Sequence, residues 1–223
     1  MAQGKLIVLE GIDGSGKSTQ FKKLTDRLKA EGLSFRQLVF PRYENSSSAL
    51  VRAYLNGEFG QNPKDVNAYA ASTFFFVDRY ASYKTDWGAY YQSGGLVFCD
   101  RYTTSNAIHQ GAKLPKSELS AFLDWLYDFE FGKMELPKPD LVLYMDITLE
   151  VCLSQMARRQ RETHTHGDIH ETNKAYLRAC LETGAVAADR LGWRKIACTE
   201  NGAARSVADI HEEIYHIVKG VLG

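Results

Sequence analysis

The sequence has no excess of charge of either sign, because 27 lysines and arginines balance 27 aspartates and glutamates in 223 residues. A protein that holds nucleic acid through the phosphate backbone needs a net basic face, so this balance argues against a nucleic-acid scaffold. Long apolar runs are also missing, and the opening stretch MAQGKLIVLE lacks the apolar length of a signal peptide. We therefore expect neither a membrane span nor secretion.

Cysteine is scarce as well, and its four copies are scattered without the spacing of a metal site: Cys99, Cys152, Cys180 and Cys198. Scattered cysteines are typical of a reduced, cytoplasmic protein, which is what we expect here. The segment His164–His170 carries histidines in the pattern H-x-H-x₃-H. With no cysteine nearby, this pattern matches no ordinary zinc template, so we do not expect a metal centre in that segment.

The chain alternates between strand-like and helix-like segments. Five apolar, β-rich runs recur, at Leu6–Glu10, Phe35–Phe40, Leu96–Cys99, Leu141–Asp146 and Arg194–Cys198. Apolar residues at helical spacing lie between them, as in Phe21, Leu24 and Leu28. This alternation predicts an α/β fold with a five-stranded parallel sheet covered by helices on both faces. No linker or repeat interrupts the chain, so we expect one domain over residues 1–223.

The stretch GIDGSGKS, from Gly11 to Ser18, fits the P-loop pattern G-x-x-x-x-G-K-S between a strand and an amphipathic helix. Glycines let backbone N–H groups converge on phosphate oxygens, and the helix N-terminus adds a positive dipole. We expect Lys17 to reach the β- and γ-phosphates and Ser18 to ligate Mg²⁺. The expected ATP-binding residues are Gly11, Ile12, Asp13, Gly14, Ser15, Gly16, Lys17, Ser18 and Thr19.

Asp100 ends the third strand-like run, where P-loop enzymes place an acid that organises Mg²⁺. A GTPase switch would have D-x-x-G here and Asn-Lys-x-Asp further on, whereas this chain has Asp100-Arg-Tyr-Thr and Asn173-Lys-Ala-Tyr. A motor-type ATPase would follow the acid with a glutamate to activate water, but Arg101 stands there. An arginine beside the metal indicates a second, anionic substrate.

Six segments in order resemble bacterial thymidylate kinases, which are P-loop nucleoside monophosphate kinases. They are the P-loop, Phe40-Pro-Arg-Tyr43, Phe75-Phe-Val-Asp-Arg79, Asp100-Arg-Tyr102 with Ser105-Asn106, Leu136-Pro-Lys-Pro-Asp140, and Arg158–Arg161. The resemblance implies the reaction ATP + dTMP → ADP + dTDP with Mg²⁺, in a homodimer, under an Arg-rich lid near residues 156–170. Two alternatives stay open. One is a related kinase for another nucleotide or deoxynucleoside, and the other is a P-loop switch without phosphoryl transfer.

The resemblance also implies residue roles. The catalytic set is Lys17, Asp100, Arg101, Arg158, Arg159 and Arg161, with Ser18 and Asp100 on the metal. In the acceptor site, Asp13 contacts the 3′-hydroxyl, Phe75 stacks on thymine, Arg79 meets a base carbonyl, and Arg42 and Arg101 clamp the phosphate. Asn106 hydrogen-bonds the base edge, and Phe40, Tyr43, Ser105, His109 and Gln110 complete that site. Because some relatives have tyrosine at the position of His109, the screening of the 2′-position stays open.

Several of these residues also have a purely structural interpretation. Phe75 belongs to a run of three phenylalanines that would pack equally well in a core. Arg42 or Arg101 would serve in a surface ion pair, and Asp13 as an exposed loop carboxylate. Sequence alone does not separate these interpretations.

Some thymidylate kinases carry an arginine inside the P-loop where this chain has Gly14, so the missing charge has to come from elsewhere. We expect at least one of Arg158, Arg159 and Arg161, with Arg158 favoured, to close over the ATP phosphates when both substrates are bound. Helical spacing places Arg158 and Arg161 on one face and turns Arg159 away from it. The run would otherwise be a solvated basic face. Similar kinases also place acids near the acceptor pocket after this run, at the positions of Asp168 and Glu171.

Overall fold

The computed structural model describes residues 4–163, 170 and 173–223. Five parallel strands form the central sheet in the order β2-β3-β1-β4-β5. They are β1 (Lys5–Glu10), β2 (Arg36–Val39), β3 (Leu96–Asp100), β4 (Leu141–Asp146) and β5 (Arg194–Ala197). The predicted five-stranded parallel sheet is therefore confirmed, with each strand within two residues of its predicted limits.

Nine α-helices surround the sheet in the described part of the chain. They are α1 (Lys17–Ala30), α2 (Ala49–Leu55), α3 (Ala68–Ser82), α4 (Gly88–Gln92), α5 (Thr103–His109), α6 (Lys116–Tyr127), α7 (Leu149–Thr163), α8 (Lys174–Leu191) and α9 (Val207–Leu222). π-helical segments follow α3 at Tyr83–Trp87 and α6 at Asp128–Lys133. Among the described residues, no helix combines the length and apolar character needed to cross a membrane.

The predicted apolar faces explain how the helices cover the sheet. Phe21, Leu24 and Leu28 of α1 are buried, and α9 buries Ile210 and Ile214. The α9 N-terminus is capped by Ser206, whose Oγ accepts a hydrogen bond from the backbone N–H of Asp209 at 3.0 Å. A short hairpin of β6 (Thr199–Glu200) and β7 (Ala203–Ala204) precedes α9 and was not expected.

The register of the sheet decides where the functional side chains meet. Asp100 pairs with Leu9 of β1 on one side and with Val39 of β2 on the other. The loops that leave β1, β2 and β3 therefore start at the same edge, with Arg101 N–H donating to Leu9 O at 3.1 Å. Ligands bind at the carboxyl ends of parallel strands in open α/β sheets, so this edge is the expected place for a site.

Candidate functional site

The P-loop leaves β1 and enters α1 in a conformation that depends on glycine. Gly14 and Gly16 have φ angles of 81° and 82°, in the left-handed region that L-residues with side chains rarely adopt. A Cβ on Gly14 would also lie 2.7 Å from Met156 Cγ and 2.8 Å from Cys152 O, both on α7. The close approach of α7 therefore excludes a side chain at Gly14, which explains why this loop carries no arginine there.

Lys17, Ser18 and Asp100 meet at the base of the P-loop. Lys17 Nζ forms a buried ion pair with Asp100 Oδ1, and Ser18 Oγ donates to Asp100 Oδ2 at 3.1 Å. Burial and the positive charge of Arg101 lower the pKa of Lys17, although Asp100 opposes the shift. The three residues expected at the phosphates and the metal are thus neighbours, joined through the two oxygens of one carboxylate.

Arg101 connects the P-loop to the neighbouring cleft. Its Nη2 donates to Asp13 Oδ1 at 2.7 Å, and its Nη1 lies 3.7 Å from Glu10 Oε1. Burial alone would raise the pKa of Asp13, but the positive charges of Arg101 and Lys17 hold it well below its usual range. Arg101 has a φ of 68°, a strained backbone for a residue with a side chain. Asp13 and Arg101 therefore face each other as a charged pair.

A cleft, here called the Arg79 cleft, opens beside this pair. Every residue expected in the acceptor site except Arg42 lines it: Asp13, Phe40, Tyr43, Phe75, Arg79, Arg101, Ser105, Asn106, His109 and Gln110. Four more residues line it that the sequence analysis did not assign to the acceptor site: Pro41, Leu55, Tyr102 and His170. Phe75 is only half-buried, so it forms part of the cleft wall.

The polar floor of the Arg79 cleft depends on Glu130. Arg79 is 2% exposed, and its Nε donates to Glu130 Oε2 at 2.9 Å while its Nη2 donates to Oε1. Thr103 Oγ1 donates to Oε2 at 2.6 Å, and Asn106 Nδ2 donates to Oε1 at 3.3 Å. Glu130 is fully buried in the π-helical segment after α6. One carboxylate thus holds two of the residues expected to read the base.

Arg42 lies outside the lining of that cleft. Its Nε donates to Asp78 Oδ1 at 3.2 Å, and its backbone N–H donates to Asp78 Oδ2 at 2.8 Å. Ser47 Oγ donates to the same Oδ1 at 2.7 Å. The structure therefore holds Arg42 in an ion pair, and its proposed role as a phosphate clamp stays a prediction.

The α7 arginines flank a second cleft, here called the P-loop cleft, which residues 12–19 line from the other side. Arg158 and Arg159 line this cleft, together with Gln155, Met156 and Glu162. Arg161 is not part of the lining, and its Nε donates to Ala157 O of its own helix at 3.2 Å. This differs from the expected pairing of Arg158 with Arg161, because the face of α7 that meets the cleft carries Gln155, Arg158, Arg159 and Glu162, at positions i, i+3, i+4 and i+7 of the helix. The two clefts share Asp13.

Histidines form the far wall of the Arg79 cleft. His109 and His170 stack with ring centroids 5.4 Å apart, and Tyr54 Oη is hydrogen-bonded to His170 Nε2 at 2.8 Å. Burial and the positive charge of Arg101 lower the pKa of His109 to about 3. The neutral ring of His109 places Nε2 3.2 Å from Arg101 Nη1, where it accepts a hydrogen bond. His170 is therefore a wall residue of this cleft.

His164, His166, Asp168 and Glu171 lie outside the described residues. The absence of a metal centre at the two histidines and the place of the two acids near the acceptor pocket therefore stay predictions.

Two buried acids were missed by the sequence analysis. Glu10 ends β1 and accepts hydrogen bonds from Thr104 Oγ1 at 2.6 Å and Ser105 Oγ at 2.8 Å. Its position, at the end of an apolar strand and directly before the P-loop, could have identified it as a site residue from the sequence. Glu130 stands in the aromatic stretch DFEFGK, and nothing in that stretch indicates its distant partners.

Comparison with known proteins identifies relatives over most of the chain. The family model for thymidylate kinase matches residues 9–214. Thymidylate kinase of Mycobacterium tuberculosis is 34% identical over 192 residues, which cover 84% of this chain and 87% of the relative. The Homo sapiens thymidylate kinase is 31% identical over 212 residues, covering 95% and 88%. The solved structure of thymidylate kinase from Candida albicans superposes with a TM-score of 0.70 at 21% identity, covering 99% and 93% of the two chains.

Proposed function

This chain belongs to the thymidylate kinase family and phosphorylates dTMP to dTDP with ATP, and we propose that the transfer takes place where its two clefts meet at Asp13. The observation that carries this proposal is that Asp13 lines both clefts, so that the two clefts adjoin. The P-loop cleft has the backbone geometry that binds a triphosphate, and the Arg79 cleft is lined by Phe75, Arg79 and Arg101, which suit the base and the phosphate of a nucleotide. Two phosphates bound in adjoining clefts can be brought into line.

The donor site is assigned to the P-loop cleft. Lys17 neutralises the β- and γ-phosphates of ATP, and the backbone N–H groups of residues 11–19 cradle them. The adjacent oxygens of Ser18 and Asp100 suit a hard cation such as Mg²⁺, which prefers oxygen ligands. When bound, Mg²⁺ supplies positive charge that offsets the charge of the phosphates.

The acceptor site is assigned to the Arg79 cleft. Phe75 stacks on thymine, Arg79 and Asn106 bind the base edge, and Asp13 accepts a hydrogen bond from the 3′-hydroxyl. Arg101 holds the acceptor phosphate on the side that faces the P-loop. Its strained backbone and its contacts to Asp13 and His109 position the guanidinium before substrate arrives. Arg42 contributes to the same phosphate after leaving Asp78.

The chemistry needs no general base. The second pKa of a phosphate monoester is about 6, so the acceptor is largely dianionic at neutral pH. A non-bridging oxygen of dTMP forms a bond to the γ-phosphorus of ATP, and the bond from that phosphorus to the β–γ bridging oxygen breaks, which releases ADP. The protein aligns the two anions and cancels their repulsion. Arg158 or Arg159, on the α7 side of the P-loop cleft, supplies the charge that the loop lacks at Gly14.

Two further features complete the proposal. The protein acts in the cytoplasm, and it acts as a homodimer. Sedimentation equilibrium of the purified protein tests the dimer, because a monomer mass at micromolar concentration contradicts it.

The decisive experiment measures ADP release with ATP and Mg²⁺ across a panel of nucleoside monophosphates. We expect dTMP to exceed dCMP, dAMP and dGMP in kcat/KM, because buried polar groups matched to one base lose their partners with another. Faster turnover of dCMP or of a purine monophosphate would overturn the assignment of the Arg79 cleft.

A further inference from the structure

We infer that Glu130, which lies beneath the Arg79 cleft and touches no substrate, sets the base specificity of that cleft as a positioning residue. The inference rests on the proposed function, since it assumes that the Arg79 cleft holds the base. It concerns how the cleft distinguishes thymine from cytosine. Glu130 is fully buried and accepts four hydrogen bonds, from two nitrogens of Arg79 and from the side chains of Thr103 and Asn106.

The first step concerns Arg79, whose guanidinium carries five N–H donors and no acceptor. Its Nε and Nη2 donate to the two oxygens of Glu130, so the edge of the guanidinium that faces Glu130 is fully used. Within the described part of the chain, Nη1 donates to no protein oxygen, while Arg79 lines the cleft. Arg79 therefore presents donors to the base, and the ion pair with Glu130 holds them in one orientation.

The second step concerns the Asn106 amide, whose two ends are chemically opposite. Its Nδ2 donates to Ser72 O at 3.2 Å and to Glu130 Oε1 at 3.3 Å. Both partners are acceptors, so the nitrogen must point toward them and the oxygen away. Asn106 lines the cleft, and among the described residues no donor meets its Oδ1. The amide therefore offers an acceptor to the cleft.

Together these two residues form a donor beside an acceptor. The thymine edge carries the complementary pair, the O4 acceptor beside the N3–H donor. Cytosine has the reverse, an N4 amino donor beside the N3 acceptor, so both hydrogen bonds are lost and like groups face each other. Glu130 fixes this pattern because it is a charged acceptor that touches both residues. A neutral amide at position 130 would remove that constraint and permit Asn106 to flip.

The test is Glu130→Gln, an almost isosteric change, with initial rates for dTMP and dCMP at saturating ATP. We expect the ratio of kcat/KM for dTMP over dCMP to fall by about 10-fold or more, since matched buried polar groups carry this discrimination. The KM for dTMP should rise while kcat and the KM for ATP stay within about twofold. Glu130→Gln should also bind thymidine, which lacks the phosphate, more weakly than the wild type does. Calorimetry should show a loss of affinity similar in size to the rise in the KM for dTMP.

Thr103→Val is the matched control, because it removes one hydrogen bond to Glu130 and leaves the carboxylate and the bonds from Arg79 and Asn106 in place. We expect a lower melting temperature and an unchanged dTMP/dCMP ratio. An unchanged ratio in folded Glu130→Gln, or an equal fall in Thr103→Val, would overturn the inference. If Glu130→Gln does not fold, Glu130→Asp replaces it, since its shorter reach breaks the 3.3 Å contact to Asn106 and should again lower the ratio.

The wild-type protein separates this inference from the proposed function. If it does not prefer dTMP to dCMP, the assignment of the Arg79 cleft fails and takes the inference with it. If it prefers dTMP and Glu130→Gln keeps that preference undiminished, only the role of Glu130 fails.

Discussion

Arg101 Nη2 lies 2.7 Å from Asp13 Oδ1, and this ion pair stands in the wall between the P-loop cleft and the Arg79 cleft. Asp13 belongs to the P-loop, whereas Arg101 follows β3, so two strands of the sheet each contribute one partner. The pair matters because, in the proposed function, its charges lie between the two substrates of a phosphoryl transfer. Four predictions test the residues around it.

Asp13→Ala should weaken the use of dTMP and leave ATP binding nearly intact, because we assign the carboxylate to the sugar hydroxyl. We expect KM for dTMP to rise about 10-fold or more, the usual effect of losing a hydrogen bond to a charged group. Steady-state kinetics with dTMP and calorimetry with ATP measure the two effects. Unchanged dTMP kinetics with lost ATP affinity would reverse the assignment.

Lys17→Ala should lower kcat by about 10²-fold or more, because the β- and γ-phosphates lose a preorganised positive charge. Circular dichroism should show an intact fold. Lys22→Ala is the control, since Lys22 lies on the same helix with a side chain 76% exposed and pairs only with Asp26 in the structure's described part. Near-normal turnover of Lys17→Ala would remove the P-loop from the catalytic site.

Arg158→Ala or Arg159→Ala should lower kcat by about 10-fold or more and change KM less, the mark of a contact made mainly in the transition state. Arg161→Ala is the matched control from the same helix, because Arg161 does not line the P-loop cleft. Single-turnover rates with both substrates bound provide the measurement. Wild-type kcat in both variants would show that neither arginine supplies the positive charge that the P-loop lacks at Gly14.

The pH dependence of stability should carry the signature of His109. Its folded pKa is about 3, against about 6.5 for an unfolded histidine, so between these values the unfolded chain binds more protons. Stability should therefore fall as pH drops from 6.5 toward 3, by an amount on the order of a few kcal/mol. Urea unfolding of His109→Gln should show a smaller loss between pH 6.5 and pH 4 than the wild type shows.

His216→Gln is the control for that series, because His216 is on the surface with a side chain 74% exposed. Its pH profile should match that of the wild type. If His109→Gln loses stability as steeply as the wild type when the pH falls, other buried groups cause the loss of stability in acid. His170 would be the next residue to test, because burial also lowers its pKa.

Much of the fold was readable from local patterns. The five apolar runs became the five strands, and the P-loop motif between β1 and α1 lies where strand, glycines and helix predicted it. The site residues could be predicted where they lie in short sequence motifs. All but one of the expected acceptor residues line a single cleft. Arg42 is the exception, because its partner Asp78 is 36 positions away and no local pattern links the two.

The sequence by itself determined the phosphate-binding loop and the parallel sheet, because strand and helix periodicity and glycine-rich turns are local properties of the chain. It also showed the arginines of the expected acceptor site and the basic run Arg158–Arg161 as candidates for phosphate binding. Only the tertiary structure decided which groups meet. Register brings Asp100 beside Leu9, packing of α7 against the P-loop selects Arg158 and Arg159 over Arg161, and the segment after α6 places Glu130 under Arg79, 51 positions away. A buried charge needs a partner, but sequence does not say where along the chain that partner lies.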